Sequence, residues 1–324
     1  MKRNHNIDLL RFVLILLVIQ LHMNPYSGVT VLYSVFNVHL VVWMFMLISL
    51  YLLQVRGAMF RRVKWVRLLL PYLSWSIIYL CLRSLKHMIQ VNKISFEAWT
   101  LNAFFTGGAA VHMYFIPLLI VYQLFACALS NLFLIKAVRS KQILNFGILI
   151  ATFLISNLFG LKSTIIGSKW GLFIDALFAT VCVHALVYMG ANAGPVRSNL
   201  CKIILVFSAL VLLWWQTNID DQVLVKIMIA SSILYTILRM PVSSKLGQFD
   251  CLFTASFGIF LMHHAIIEMA EALFTQLGIP LIPYDFAERI LGTFAVVSIS
   301  YGFICLIRRS RLLSLLLIGE KHLK

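Results

Sequence analysis

The chain has 324 residues, of which 61% are hydrophobic and only 12% charged, with a mean hydropathy of +0.94. A soluble domain carries about twice that charged fraction, so water-soluble classes are excluded and the chain reads as a polytopic membrane protein. The net charge of +16 invites a nucleic-acid reading, but Lys and Arg also collect in cytoplasmic loops, so topology is tested first.

The N-terminus opens with Lys2 and Arg3 and then turns hydrophobic, like a signal peptide. Arg11 interrupts the run and no small-residue cleavage site follows, so an uncleaved first span is expected. Apolar runs of about 20 residues, enough to span a bilayer, occur near 7–24, 36–54, 68–88, 111–135, 143–160, 172–191, 203–217, 223–240, 252–274 and 289–307. The expected fold is all-α: one transmembrane bundle of about ten helices over 1–324, with both termini on one side. Taking the N-terminus as cytoplasmic puts most of the 27 Lys and Arg residues inside. Arg56, Arg61, Arg62, Lys64 and Arg67 fall in one inner loop, and Arg308, Arg309, Arg311, Lys321 and Lys324 in the tail. Both termini are therefore expected in the cytoplasm, and the charge is explained without nucleic acid.

Loops are short. The longest outer one, about 89–110, holds Glu97, Trp99 and Gly107-Gly108. No repeat, low-complexity tract or fused soluble domain is expected. Cys81, Cys127, Cys182, Cys201, Cys251 and Cys305 lie in or beside apolar runs with no CxxC pair, so neither disulfides nor a thiolate metal site is expected.

The first span, from Asp8 to His22, carries the most informative spacing. At about 100° per residue, Arg11 and His22 lie about 20° apart on one helical face and about 16 Å apart along the axis. A cation and an imidazole thus line one stripe of an apolar helix, far enough apart to hold two ends of an elongated ligand. Polar groups in lipid are costly unless they face protein or water, and so read as functional. The competing reading has Arg11 snorkelling to headgroups and His22 capping the far end. Asp8, one turn before Arg11, can orient the guanidinium or form an ordinary interfacial pair. His22, deep in the outer half, has the chemistry of a general base near neutral pH.

The inner loop runs from Arg56 through Arg61, Arg62, Lys64 and Arg67 to Pro71-Tyr72. Such cations suit phosphates, including a nucleotide 3′-phosphate; the alternative is plain positive-inside anchoring. Among other intramembrane polar groups, His39, Asp175 and His184 line a cavity or are satisfied structural residues. Glu268 and Glu271 bind sugar hydroxyls or sit wet at the interface. The His263-His264 pair raises a metal or haem site, but adjacent helical residues point about 100° apart, and no metal is expected. Trp99, Trp214, Trp215 and Tyr284 read as interfacial belt residues.

The chain resembles the acyltransferase-3 family, integral-membrane enzymes that O-acetylate bacterial surface polysaccharides. Asp8, Arg11 and His22 match the family's Arg-x10-His in the first helix. The stretch into Arg67-Leu-Leu-Leu-Pro71-Tyr72 is similar to its Arg-rich loop, His112-Met-Tyr114-Phe115 to its His-x-Trp-Phe segment, and Gly258-Ile-Phe260-Leu-Met-His263 to its Ile-Tyr-Leu-x-His segment. Met44–Tyr51 departs from the family's second helix, with Leu50 in place of a glycine.

The resemblance implies transfer of an acyl group, usually from cytoplasmic acetyl-CoA, to a sugar hydroxyl at or beyond the outer face of a bacterial inner membrane. The acceptor would be a surface glycan such as lipopolysaccharide O-antigen or a lipid-linked sugar. It implies catalytic roles for His22 and Arg11, donor binding by Asp8, Arg11, Arg61, Arg62, Lys64 and Arg67, and acceptor binding by His112, Tyr114, His263 and Glu268. His22 acts as general base or carries the acyl group transiently, the base role being favoured. Membrane lipids are the remaining partners, and oligomeric state is left open. A transporter or flippase of lipid-linked glycan is the alternative, but its broken helices at matching positions of two halves do not show in the sequence. A non-catalytic membrane subunit is the third reading.

Overall fold

The computed structural model describes residues 4–23, 40–55, 65–91, 100, 109–131, 179–180, 182–183, 223–241, 244–278 and 286–320. Among these, every regular element is helical and no strand occurs. The helices are α1 (His5–His22), α2 (Leu40–Val55), α3 (Trp65–Val91), α4 (Phe115–Asn131), α5 (Val223–Arg239), α6 (Asp250–Gln276) and α7 (Phe286–Ile307). A 3₁₀ turn, Val111–Tyr114, leads into α4, and another, Ser244–Phe249, into α6. The chain closes with a short helix, Arg311–Leu313, and a π turn, Ser314–Ile318. The expected spans near 143–160 and 203–217 lie outside the described residues. So does 172–191, apart from Ala179, Thr180, Cys182 and Val183. Four described segments are long and apolar enough to cross a membrane: His5–His22, Trp65–Met88, Leu246–Gln276 and Glu288–Ile307.

The helices follow from the residues in them. α1 begins at an N-cap: the Asn4 side chain accepts the Asn6 N–H at 3.0 Å, satisfying one of the donors a helix start leaves open. It then runs without Gly or Pro to His22. α3 carries Pro71 in its second turn. Proline lacks the N–H that would bond the carbonyl four residues back, so the Arg67 carbonyl loses its intrahelical donor there.

Contacts divide the residues into two compact units, and the boundaries cut α1 after Leu10 and α4 after Leu118. In the first unit α5 packs on α2. Gln123 of α4 donates to Ser49 Oγ of α2 at 2.7 Å, and Trp43 meets Tyr122 edge-on with ring centres 5.8 Å apart. The Asn6 amide donates to the Ile237 and Met240 carbonyls at 3.3 and 3.0 Å, covering backbone acceptors that the end of α5 leaves open.

In the second unit α6 packs against α3, α7 and the C-terminal turn. Gly258 permits a close approach. A Cβ there would stand 2.8 Å from both Ile304 Cδ1 of α7 and Ile318 Cγ2 of the turn, which is the use membrane helices make of small residues. α7 buries Thr293, Val296, Val297, Ser300 and Ile304 and leaves Leu291, Phe294, Ile299, Phe303 and Leu306 exposed. An apolar outer face of that size fits lipid rather than water. The tail folds back on α3. Trp75 Nε1 donates to the Leu317 carbonyl at 2.8 Å, and Arg308 grips Glu320 through two nitrogens at 2.9 and 2.7 Å. Gly319 takes a left-handed φ of 67°, and a Cβ on it would strike the Arg67 carbonyl.

Candidate active site

Four imidazoles meet in the second unit. His22 is the last residue of α1; His112 sits in the 3₁₀ turn after extended Ala110; His263 and His264 lie midway along α6. Ring centres of His22 stand 5.8, 5.3 and 4.9 Å from those of His112, His263 and His264. His112 lies 4.8 and 5.4 Å from His263 and His264. His112 and His263 are buried, while His22 and His264 are partly exposed. Phe260 walls one side, 5.4 Å from His112 and 5.8 Å from Phe115.

Three further groups hold the rings. The Phe260 carbonyl lies 2.6 Å from His263 Nδ1. Glu268 Oε1 lies 3.3 Å from His264 Nε2, one turn away on the same helix. Tyr79 of α3 donates to the Leu261 carbonyl at 2.8 Å and accepts the Ala265 N–H at 3.1 Å, so its hydroxyl enters the backbone ladder of α6 where the two histidines project. The Leu261 carbonyl also faces His112 without closing a hydrogen bond to it. Arg83 and Lys86, one and two turns beyond Tyr79, act on the charge of Glu268.

The expected site residues divide. His22, His112 and His263 come together, with their nearest ligand-type nitrogens all within 4.8 Å of one another, a spacing that can hold a metal ion. His263 and His264 diverge on their own helix, and it is His22 and His112, from two other elements, that join His263. Glu268 is placed against His264. Tyr114 is half-buried beside His112 and makes neither a hydrogen bond nor a ring contact among the described residues. Arg11 and Asp8 are half-buried on the unbroken α1, and Arg67 is exposed at the start of α3. Arg61, Arg62 and Lys64 lie outside the described residues, as do His39, Asp175 and His184.

Sequence reasoning missed Tyr79 and weighed His264 only as half of a metal or haem pair. A tyrosine whose hydroxyl enters another helix's backbone leaves no periodic mark. Neighbouring helical residues diverge by about 100°, yet His22 reaches both rings, at 5.3 and 4.9 Å from His263 and His264. The available signal for His264 was Glu268 at i+4, the spacing at which helical side chains meet.

The arrangement offers a partly exposed imidazole, backed by further imidazoles and a carboxylate, at the end of a helix that carries an arginine 11 residues earlier. Such an arrangement has the chemistry to transfer a proton, with a cation about 16 Å behind it along the helix. Compared with known proteins, residues 4–309 match the family model described as an acyltransferase domain. No curated protein and no solved structure matches the chain.

Proposed function

The chain belongs to the acyltransferase-3 family of membrane acyltransferases, and from that premise we propose that it O-acetylates a surface glycan with acetyl-CoA as donor. In this reading ten helices cross the bacterial inner membrane with both termini in the cytoplasm, and the acceptor is a glycan or lipid-linked sugar at the outer face. Arg11, oriented by Asp8, and Arg67 with Arg61, Arg62 and Lys64 hold the phosphates of CoA. The pantetheine arm runs along α1 toward His22.

His22 takes the proton of the acceptor hydroxyl, the oxygen attacks the thioester carbon, and the carbon–sulfur bond breaks. The proton passes from the His22 imidazolium to the departing sulfur. His112, Tyr114, His263 and Glu268 bind the acceptor. One observation carries the proposal: the α1 imidazole, eleven residues past Arg11 on one unbroken helix, ends among three other imidazoles.

The test is acetyl-CoA consumption by the purified protein in nanodiscs with a glycan acceptor. An acyltransferase releases CoA and forms an acetyl ester, and His22→Ala abolishes both while inserting normally. A flippase leaves acetyl-CoA untouched. His22→Ala retaining wild-type rate would overturn the base assignment.

A further inference from the structure

His263 and His264 each have one ring nitrogen committed to an oxygen. Nδ1 of His263 faces the Phe260 carbonyl, which only accepts, so that nitrogen carries the proton and donates. In the neutral ring Nε2 is then a bare lone pair, and it is buried with no partner. Nε2 of His264 faces the Glu268 carboxylate, so by the same reasoning its Nδ1 is bare, and that atom too is buried with no partner.

Two bare nitrogens need donors, and each has a nearest imidazole. His263 stands 4.8 Å from His112 and His264 stands 4.9 Å from His22, the two shortest separations between ring centres in the cluster. An N–H···N bond of about 2.9 Å holds two imidazole centres within about 5.2 Å of each other. Both pairs meet that limit.

We infer that His264, backed by Glu268, is a positioning residue for His22: its Nδ1 accepts a ring N–H of His22 and selects the tautomer whose other nitrogen is free to act as base. The inference rests on the acyl-transfer reading above and deepens it. During transfer His22 gains the hydroxyl proton on its bare nitrogen. The new C–O bond replaces the C–S bond, and the proton ends on the CoA sulfur. His264 and Glu268 keep their own protonation throughout. They hold the transient imidazolium through its N–H and through the carboxylate charge, the service an acidic residue performs for a catalytic histidine in hydrolase triads.

Glu268 thereby gains an orienting role through Oε1 beside the acceptor contact proposed above. The other groups facing this pair are His112 and His263 beside the rings, Tyr79 at 6.1 Å from His264, and Arg83 and Lys86 toward Glu268. A transition metal held by His22, His112 and His263 would compete for the His22 ring, and metal content separates the two.

The full chain in phospholipid nanodiscs is compared as wild type, His264→Leu, His264→Asn and Glu268→Gln. His264→Leu lowers kcat about 100-fold, with KM for acetyl-CoA unchanged. His264→Asn, whose carboxamide oxygen replaces Nδ1 as acceptor, recovers most of that loss, and Glu268→Gln lies between. The readout independent of turnover is the ¹⁵N signature of the His22 ring: one neutral tautomer in wild type, a mixture in His264→Leu. An unchanged kcat in His264→Leu, or an unchanged tautomer, overturns the inference. So does one equivalent of transition metal bound to the wild type, which the nitrogens of His22, His112 and His263 would hold. A wild type that leaves acetyl-CoA intact yet shows the tautomer change sinks the acyl-transfer reading and upholds the His22–His264 bond.

Discussion

Tyr79 and Ala265 share a hydrogen bond that a continuous helix would keep to itself: the tyrosine hydroxyl accepts the Ala265 N–H at 3.1 Å while donating to Leu261 at 2.8 Å. These two backbone groups are i,i+4 partners, so the hydroxyl enters the ladder of α6, a recognised cause of local helix bending. Tyr79→Phe leaves the two groups to bond each other. The expected stability loss is therefore small, about 1 kcal/mol. Closing the ladder shifts His263 and His264, and the rate of acyl transfer falls about tenfold or more. A thermal melt and a kcat on the same preparation check both halves. A large stability loss with unchanged kcat would contradict this account.

Arg11 and Arg67 are proposed to serve the donor rather than the chemistry. Arg11→Ala is expected to raise KM for acetyl-CoA about tenfold or more, as loss of a charge-assisted phosphate contact does. Arg11→Lys restores little, because a point charge does not reproduce a bidentate fork. The check is a saturation curve for each variant at fixed acceptor. An unchanged KM in both Arg11→Ala and Arg67→Ala would remove the donor assignment.

Gly319 is placed for two separate strains. Its φ of 67° disfavours any side chain, and its α-carbon backs onto the Arg67 carbonyl. Gly319→Ala is expected to cost about 1–3 kcal/mol and to raise KM for the donor by disturbing Arg67. Gly278 supplies the control, with a similar φ of 66° and nothing within 4 Å of a built Cβ. Gly278→Ala costs about 1 kcal/mol and leaves KM alone. Melting midpoints and donor KM for the pair test the difference.

Gly258→Val places a branched side chain where a Cβ alone already meets Ile304 and Ile318 at 2.8 Å. Overpacking of this kind costs about 1–3 kcal/mol. The melting midpoint should fall, and Ile304→Val in the Gly258→Val background should recover part of it. Additive losses would show that the two positions do not touch.

What the sequence made legible is what one helix can say about itself. The Arg11–His22 spacing survives because α1 is unbroken from His5 to His22 and needs no partner to define its faces. The apolar runs located α2, α3, α4, α5 and α7 to within about four residues at each end, and α3 begins at Trp65 rather than 68, with Pro71 tolerated in its second turn. The expected helix at 111 instead opens as a 3₁₀ turn carrying His112. His112, His263 and His264 drew notice by residue type, yet their meeting with His22 depends on packing among three elements, which no periodicity encodes. Glu268 was singled out as sugar-binding or interfacial, and its place beside His264 adds a neighbour that reading did not name.

Pro71 strips the Arg67 carbonyl of its donor within α3, and the turn that arrives against it comes from the far end of the chain. The entrance of the third helix is therefore unfinished until translation has passed residue 319. Ribosome-stalled or prematurely terminated chains insert α3 with that carbonyl and the Trp75 indole both lacking the tail.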